Sequence, residues 1–311
     1  MKIFAVSPVD IGAIAGLQFN PQFMPNYIKV SPEGTPQANI FDFSVAELRE
    51  MAKRLRRHVI TMTATAGSGH PGGSLSAADI ITALYFKVMR HNPKNPQWVH
   101  RDRFILSKGH AAPILYAALA ESGYLPVPEL STLRRLDSRL QGHTDRNLTP
   151  GVEMSAGSLG MGLSFGIGVA LAARLDSRDY HTYVLLSDGE CDEGQTWEAA
   201  LSAAHFKLDN LTAIVDYNKI QLSGWTRDIM NLEPFNQKWQ AFGWHTIEID
   251  GHDFSQILAA LQEAQNTKNK PTVIVASTVK GKGVSFMENN VKFHGKAPTA
   301  EEAEKALREL E

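Results

Sequence analysis

The chain has 311 residues, of which 43% are hydrophobic and 21% charged, the proportions of an ordinary globular core under a mixed charged surface. Its formal net charge of −2 leaves no electrostatic footprint for nucleic acid or for an anionic membrane. One cysteine, Cys191, excludes an internal disulfide and a cysteine zinc cluster and fits a reducing cytoplasm, and no apolar run approaches the ~20 residues of a membrane helix.

Residues 1–43 are rich in Pro, Gly and Asn and show no sustained period. With one early Lys, an interrupting Asp10 and no small-residue cleavage site, they read as an irregular arm or a mis-set start rather than a signal peptide. The domain is expected over 44–311. Ser44 and Glu47 form a capping-box pattern ahead of a helix-periodic run. Next come a glycine-rich turn at 67–73, a second helix at 76–89, a short apolar run at 103–110 and a helix at 113–123. A loop-rich middle leads to the glycine-rich segment 157–175, which runs from loop into helix. Glycines 160, 162, 166 and 168 there would each destabilise a solvated helix by roughly 1 kcal/mol relative to Ala, so close approach to a neighbouring helix or ligand is expected. From 182 onward, strands at 182–187, 211–217, 244–250 and 272–278 alternate with helices near 193–206, 234–242 and 253–266, and a charged helix closes the chain at 300–310. This rhythm predicts one α/β domain, a doubly wound parallel sheet with helices on both faces and four strands after residue 182.

Two residues carry the first chemical signal. Asp188 and Asn218 each end an apolar, β-branched run, and the segment between them reads as strand–helix–strand. Ligands of parallel sheets bind beyond the carboxyl ends of the strands. A carboxylate, an amide oxygen and a backbone carbonyl from the turn after Asn218 would suit a magnesium ion carrying a phosphorylated cofactor. The plainer alternative is that Asp-Gly merely ends a strand in a turn. Histidines add to the case: His70, His110 and His143 follow glycines in loops, His252 lies in DGHD and His294 in FHG. Imidazole can bond a phosphate or a sugar hydroxyl and move protons near neutral pH, though a lone loop histidine is more often a surface residue. His58 and His205 fall on helices, while His91, His100, His181 and His245 read as surface or packing residues. Cys191 reads as a small packing residue.

Together the phrases GSGHPGGSLSAADI, SKGHAAPILYA, QGH, GSLGMGLS, SDGECDEGQ, DYNKIQLSG, EIDGHD and KGKGVSFMENN resemble the transketolase family, from residue 44 to nearly the end. The resemblance implies a thiamine diphosphate-binding fold and looks most like the amino-terminal subunit of a split transketolase. It implies that Asp188 and Asn218, with the carbonyl of Ile220, bind Mg2+ (Ca2+ or Mn2+ as substitutes). Gly189 would give backbone access to the diphosphate, and His110 and His252 would contact the diphosphate or the substrate. His70 and His143 match histidines that bind sugar hydroxyls and assist proton transfer. Gly157 and Leu159 match backbone positions along the aminopyrimidine, Glu193 matches an acidic residue of an inter-site hydrogen-bond network, and His294 is a weaker match near the substrate channel.

Three departures stand out: Ser187 for the usual Gly before Asp188, Met161 for a common Gln, and Thr144 for the usual Pro after His143. Family members also need a glutamate at the cofactor's pyrimidine ring, contributed by a separate pyrimidine-binding domain. No second set of strand–helix repeats is visible to supply it. The resemblance therefore implies a partner polypeptide, a carboxy-terminal transketolase subunit, in a heterotetramer acting on sugar phosphates in the pentose phosphate pathway. The rival readings are another thiamine enzyme, a subunit specialised for an unusual phosphorylated or sulfonated sugar, and a degenerate subunit without catalysis.

Overall fold

A computed structural model describes residues 41–311; residues 1–40, most of the expected arm, lie outside the described residues. Phe41 and Phe43, assigned to that arm, in fact pack on Phe86 with ring centroids 5.2 and 5.5 Å away, so core packing begins just ahead of Ser44.

The first helix, α1 (Val45–Ala66), starts at the expected capping box: Ser44 Oγ accepts from the Glu47 amide, and the Glu47 carboxylate accepts from the Ser44 amide. Each satisfies an amide the helix would leave orphaned. The second helix departs from expectation. It begins at Pro71, inside the stretch read as a turn, and runs as α2 (Pro71–Ser76) and α3 (Ala78–Ala83) before a π-type turn over Leu84–Val88. Pro71 explains the early start, because proline loses nothing at a first helical position, where the N–H is unpaired anyway.

The 103–110 run also holds more than expected. Arg103–Leu106 forms β1, which pairs in parallel with β2 (Thr182–Ser187). After β1 come α4 (Ala112–Ser122) and α5 (Met161–Leu175), then β2, α6 (Gly194–His205), β3 (Leu211–Tyr217), α7 (Thr226–Ile229) and α8 (Phe235–Ala241). β4 (His245–Asp250), α9 (Phe254–Asn266), β5 (Thr272–Ser277) and α10 (Ala300–Glu309) complete the order. Among the described residues the sheet has five strands, all parallel, in the order β1-β2-β3-β5-β4.

Alternation along the strands sorts two cores. Tyr183, Leu185, Ile214 and Ile274 face the side covered by α1, α3, α4 and α9. Val184, Leu186, Val215 and Val275 face the side covered by α5, α6 and α8. Successive side chains of a strand point to opposite faces, so a strand buried on both faces reads as a continuous apolar run.

Gly160, with φ +80°, makes the expected close approach to a neighbouring helix, since a Cβ there would lie 2.8 Å from Glu193 Cβ at the head of α6, whereas Gly162 and Gly166 meet the sheet and its edge. A Cβ at Gly162 would lie 2.2 Å from Ser107 Oγ, and one at Gly166 would lie 2.6 Å from Val184 Cγ2, whereas Gly168 faces open space. Among the described residues no helix is long and apolar enough to cross a membrane.

Candidate active site at the carboxyl edge of the sheet

Every strand delivers a polar residue to the same edge. Ser107 and Lys108 follow β1, Asp188 follows β2, Asn218 follows β3, His252 follows β4 and Thr278 follows β5. Asp188 is 1% exposed; its Oδ1 accepts from the Gly189 amide at 2.7 Å and its Oδ2 from the Lys219 amide. Burial, with the negative charge of Asp216 adding to it, lifts the Asp188 carboxyl to about 6. Asn218 is buried as well. Its Nδ2 donates to Asp216 and its Oδ1 accepts from the Ile220 amide at 3.1 Å. The Ile220 carbonyl accepts from Lys280 Nζ at 2.7 Å.

These three residues therefore bring oxygen donors of mixed charge to one corner, and a buried carboxylate held above its ordinary pKa is the kind that a cation restores to its ionised form. Among the described residues no group of three or more His, Cys, Asp or Glu side chains could enclose a metal alone. The donor set is partial and calls for anionic oxygens from a bound group, which fits a magnesium-diphosphate.

Four of the five flagged histidines converge. The His70 ring lies 5.5 Å from His110, 6.1 Å from His143 and 5.7 Å from His294, and His110 lies 5.2 Å from His294. They arrive from four separate loops, and small neighbours allow the approach: a Cβ at Gly73 would lie 3.2 Å from His110 Nε2. Burial, reinforced by Arg134 and by the other cations nearby, pushes His70 down to about 4. Burial and Lys280 push His294 to about 3, while burial and Lys108 hold His110 well below its ordinary value. His143, the most exposed, is lowered by partial burial and Arg134. The cluster is thus neutral at pH 7, each ring carrying one N–H and one acceptor nitrogen. Lys280 donates to His294 Nδ1 at 2.7 Å, which leaves the proton of that ring on Nε2.

His252 does not join them. Its Nδ1 faces Asp79 Oδ2 at 2.7 Å and its Nε2 accepts from the Val279 amide at 2.9 Å, so both ring nitrogens are occupied within the chain. The expectation that His252 contacts the diphosphate or substrate is corrected on that ground. Glu193 is exposed as the N-cap of α6, against Gly160. Gly157 is exposed and Leu159 half-buried in the loop leading to α5, and Gly189 opens the turn after β2.

The departures are accommodated. Ser187 ends β2 in extended backbone, where no glycine is needed. Thr144 is pinned rather than loosened: its Oγ1 donates to the Met154 carbonyl at 3.1 Å and its own carbonyl accepts from the Ala156 amide. Met161 is 44% exposed at the start of α5.

Sequence reading passed over the buried residues that brace this edge. Glu190 takes hydrogen bonds from Ser107 and from the Gly160 and Ser187 amides, which ties the glycine loop to β1 and β2. Lys108 and Asp216 form a buried ion pair, and Asp216 also accepts from Ser76 Oγ at 2.6 Å. Arg134 donates to Ser68 Oγ at 2.7 Å and meets His70 Nδ1 at 3.4 Å. Lys280, 2% exposed, is pushed down to about 8 by burial and by Lys108. Lys280, Lys108, Glu190 and Asp216 fall within the phrases KGKG, SKGH, SDGE and DYN, but their bracing contacts are not readable there, and no phrase marks Arg134.

A parallel α/β sheet with buried oxygen donors and a histidine cluster beyond its strand ends has the arrangement in which such sheets bind ligands. Residues 48–310 match the family model described as transketolase, thiamine diphosphate binding domain, and the chain belongs to the transketolase family. It is 45% identical over 265 residues to the 6-deoxy-6-sulfo-D-fructose transketolase subunit SqwG of Clostridium sp. (strain MSTE9), covering 85% of this chain and 96% of that protein. It is 44% identical over 273 residues to an apulose-4-phosphate transketolase subunit of Actinobacillus succinogenes, covering 88% and 99%. Against Homo sapiens transketolase, 41% identity over 264 residues covers 85% of this chain but 42% of that protein. The crystal structure of Campylobacter jejuni transketolase superposes with a TM-score of 0.82 at 36% identity, covering 86% of this chain and 43% of that one.

Proposed function

We infer that this chain is the thiamine diphosphate-binding subunit of a two-polypeptide transketolase that moves a two-carbon ketol unit from an anionic ketose to an aldose. The observation that carries the reading is the convergence of His70, His110, His143 and His294 beside Asp188 and Asn218. Thiamine diphosphate, when bound, supplies the electron sink for breaking the ketose carbon–carbon bond. The chain supplies the rest. Asp188, Asn218 and the Ile220 carbonyl, which Lys280 would then release, would hold Mg2+; Lys280 and His110, with the Gly189 turn, would hold the anionic tail, and Gly157 and Leu159 would line the ring.

Neutral His70, with Nδ1 turned to Arg134, donates to a substrate hydroxyl, and the acceptor nitrogen of His143 takes a hydroxyl proton and returns it. His294, its proton held on Nε2 by Lys280, donates to an oxygen near the channel. Glu193, exposed at the head of α6, faces outward for a network completed by another chain.

The split is supported by relatives that are themselves named as transketolase subunits, SqwG and the Actinobacillus protein, matched over 96% and 99% of their own length. A partner polypeptide then carries the pyrimidine-binding domain, in a heterotetramer, in the cytoplasm. The named substrates of those relatives, a sulfonated and a phosphorylated sugar, favour an anionic ketose donor, and the sulfonated class competes with the common pentose phosphates.

The test is reconstitution with the adjacent gene product across a panel of phosphorylated and sulfonated ketoses, with Mg2+ and thiamine diphosphate. The expected result is no turnover by the chain alone and restored turnover with the partner. Robust turnover by the isolated chain would overturn the split, and turnover of pyruvate alone would point to another thiamine enzyme. Absence of cofactor binding by the complex would favour a degenerate subunit.

A further inference from the structure

His252, expected at the cofactor or substrate, is built into a different device. Arg56 on α1 donates from both terminal nitrogens to Asp79 on α3, at 2.9 and 2.6 Å, and both side chains are buried. The same carboxylate lies 2.7 Å from His252 Nδ1, and His252 Nε2 lies 2.9 Å from the Val279 amide nitrogen. A backbone N–H can only donate, so Nε2 is the acceptor and the imidazole proton sits on Nδ1, aimed at Asp79.

This series of bonds ends on the segment that follows β5, and that segment is part of the site. Lys280, next to Val279, reaches the Ile220 carbonyl at 2.7 Å and His294 Nδ1 at 2.7 Å. The Gly281 amide donates to the Gly72 carbonyl at 3.0 Å, in the helix that follows His70. Arg56 braces the same segment from behind: a Cβ at Gly283 would lie 3.3 Å from Arg56 Cδ.

We propose that His252 is a positioning residue which, with its tautomer fixed by Arg56 and Asp79, acts through the Val279 amide to hold Lys280 between Ile220 and His294. Its consequence for turnover rests on the ketol-transfer reading; its hold on residues 279–283 does not. Removing the ring takes the acceptor from the Val279 amide and leaves Asp79 with Arg56 alone. Order in the segment is lost first, and the placement of Lys280 follows.

The experiment uses the full chain, alone for structure and with its partner for activity. In the wild type, nitrogen-15 NMR of the imidazoles should show His252 in the Nδ1–H form; an Nε2–H form overturns the proposal without any variant. In His252→Ala, amide exchange over 279–283 should quicken about tenfold or more while β3 keeps its protection. His252→Gln, which can still accept from Val279, should recover most of that protection. In the reconstituted enzyme, His252→Ala should raise the KM for thiamine diphosphate more than it lowers kcat, and His252→Gln should reverse the change. Unaltered exchange at 279–283 with a collapsed kcat would overturn the proposal and return His252 to the substrate. If the complex proves inactive on every ketose, the functional reading fails, while the tautomer and the exchange still decide the positioning role.

Discussion

Lys108 and Asp216 form an ion pair with neither side chain exposed to solvent, directly behind the histidine cluster. Lys108 also donates to the Gly73 carbonyl at 2.9 Å, and Asp216 gathers hydroxyls from Ser76 and Thr278, so the pair joins α2, β1, β3 and β5. Desolvation offsets much of what such a pair contributes, yet removing one partner strands a buried charge. Lys108→Met is therefore expected to lower the unfolding free energy by about 3–5 kcal/mol. Lys108→Met with Asp216→Asn should regain part of that loss. Urea denaturation checks both, and a single-variant loss near zero would contradict this bonding.

The α5 glycines give a paired test on one helix. Gly166→Ala would place a methyl 2.6 Å from Val184 Cγ2, and overpacking of this kind costs about 1–3 kcal/mol. Gly168→Ala projects into open space and should instead stabilise by roughly 0.5–1 kcal/mol through helix propensity and a less flexible unfolded chain. Opposite shifts in Tm are the expected result; equal shifts would mean that α5 is not seated on the sheet through Gly166.

Acid sensitivity follows from the histidines. Burial pushes His181 and His70 down to about 4 and His294 to about 3, against an ordinary value of 6.5. A depressed folded-state pKa means the unfolded chain binds the proton more readily. Their contribution is whole above about pH 6.5 and is lost progressively as pH falls from there to the folded values of about 4 and 3. Buried His181 alone accounts for a loss on the order of 3 kcal/mol. Denaturation between pH 7 and 4 should show this fall, and His181→Gln should flatten it.

Metal binding should carry its own pH signature. With the Asp188 carboxyl lifted to about 6, this proposed ligand would have to lose a proton before coordinating. The affinity for Mg2+ with thiamine diphosphate should then drop by up to about tenfold per unit below pH 6, and Asp188→Asn should remove most of it. Calorimetry on the chain and on the reconstituted complex measures both effects. Full affinity in Asp188→Asn would dismiss this residue as a ligand.

Much of the fold could be read from periodicity. β2, β3 and β5 are buried on both faces and announce themselves as apolar runs, and the helices between them match their predicted spans closely. β1 escaped because four residues are too few to separate a strand from an apolar loop, and its pairing with β2 is a non-local fact. The helix at Pro71 escaped because Gly72 and Gly73 read as turn residues when their packing partners, Phe293 and His110, are far along the chain. The site shows the same division. Glycine-flanked histidines and strand-end Asp188 and Asn218 carry local signals, whereas Glu190, Asp216 and Arg134 matter only through contacts that the fold creates. His252 carried the signal too, but a motif does not reveal that a distant carboxylate and the Val279 amide hold its ring.

The Lys108–Asp216 pair also works as a check on assembly. Asp216 stands beside Ser187 of β2 and Ala276 of β5 in the sheet register. A slip of β3 by one residue would bring Tyr217 to that place and turn the carboxylate to the other face. Lys108, sealed from solvent, would then have no counter-charge, so the misaligned sheet is penalised at the spot where the ligand edge is formed. This ion pair thus ties the register of β3 to the placing of the strand ends that carry Asp188 and Asn218.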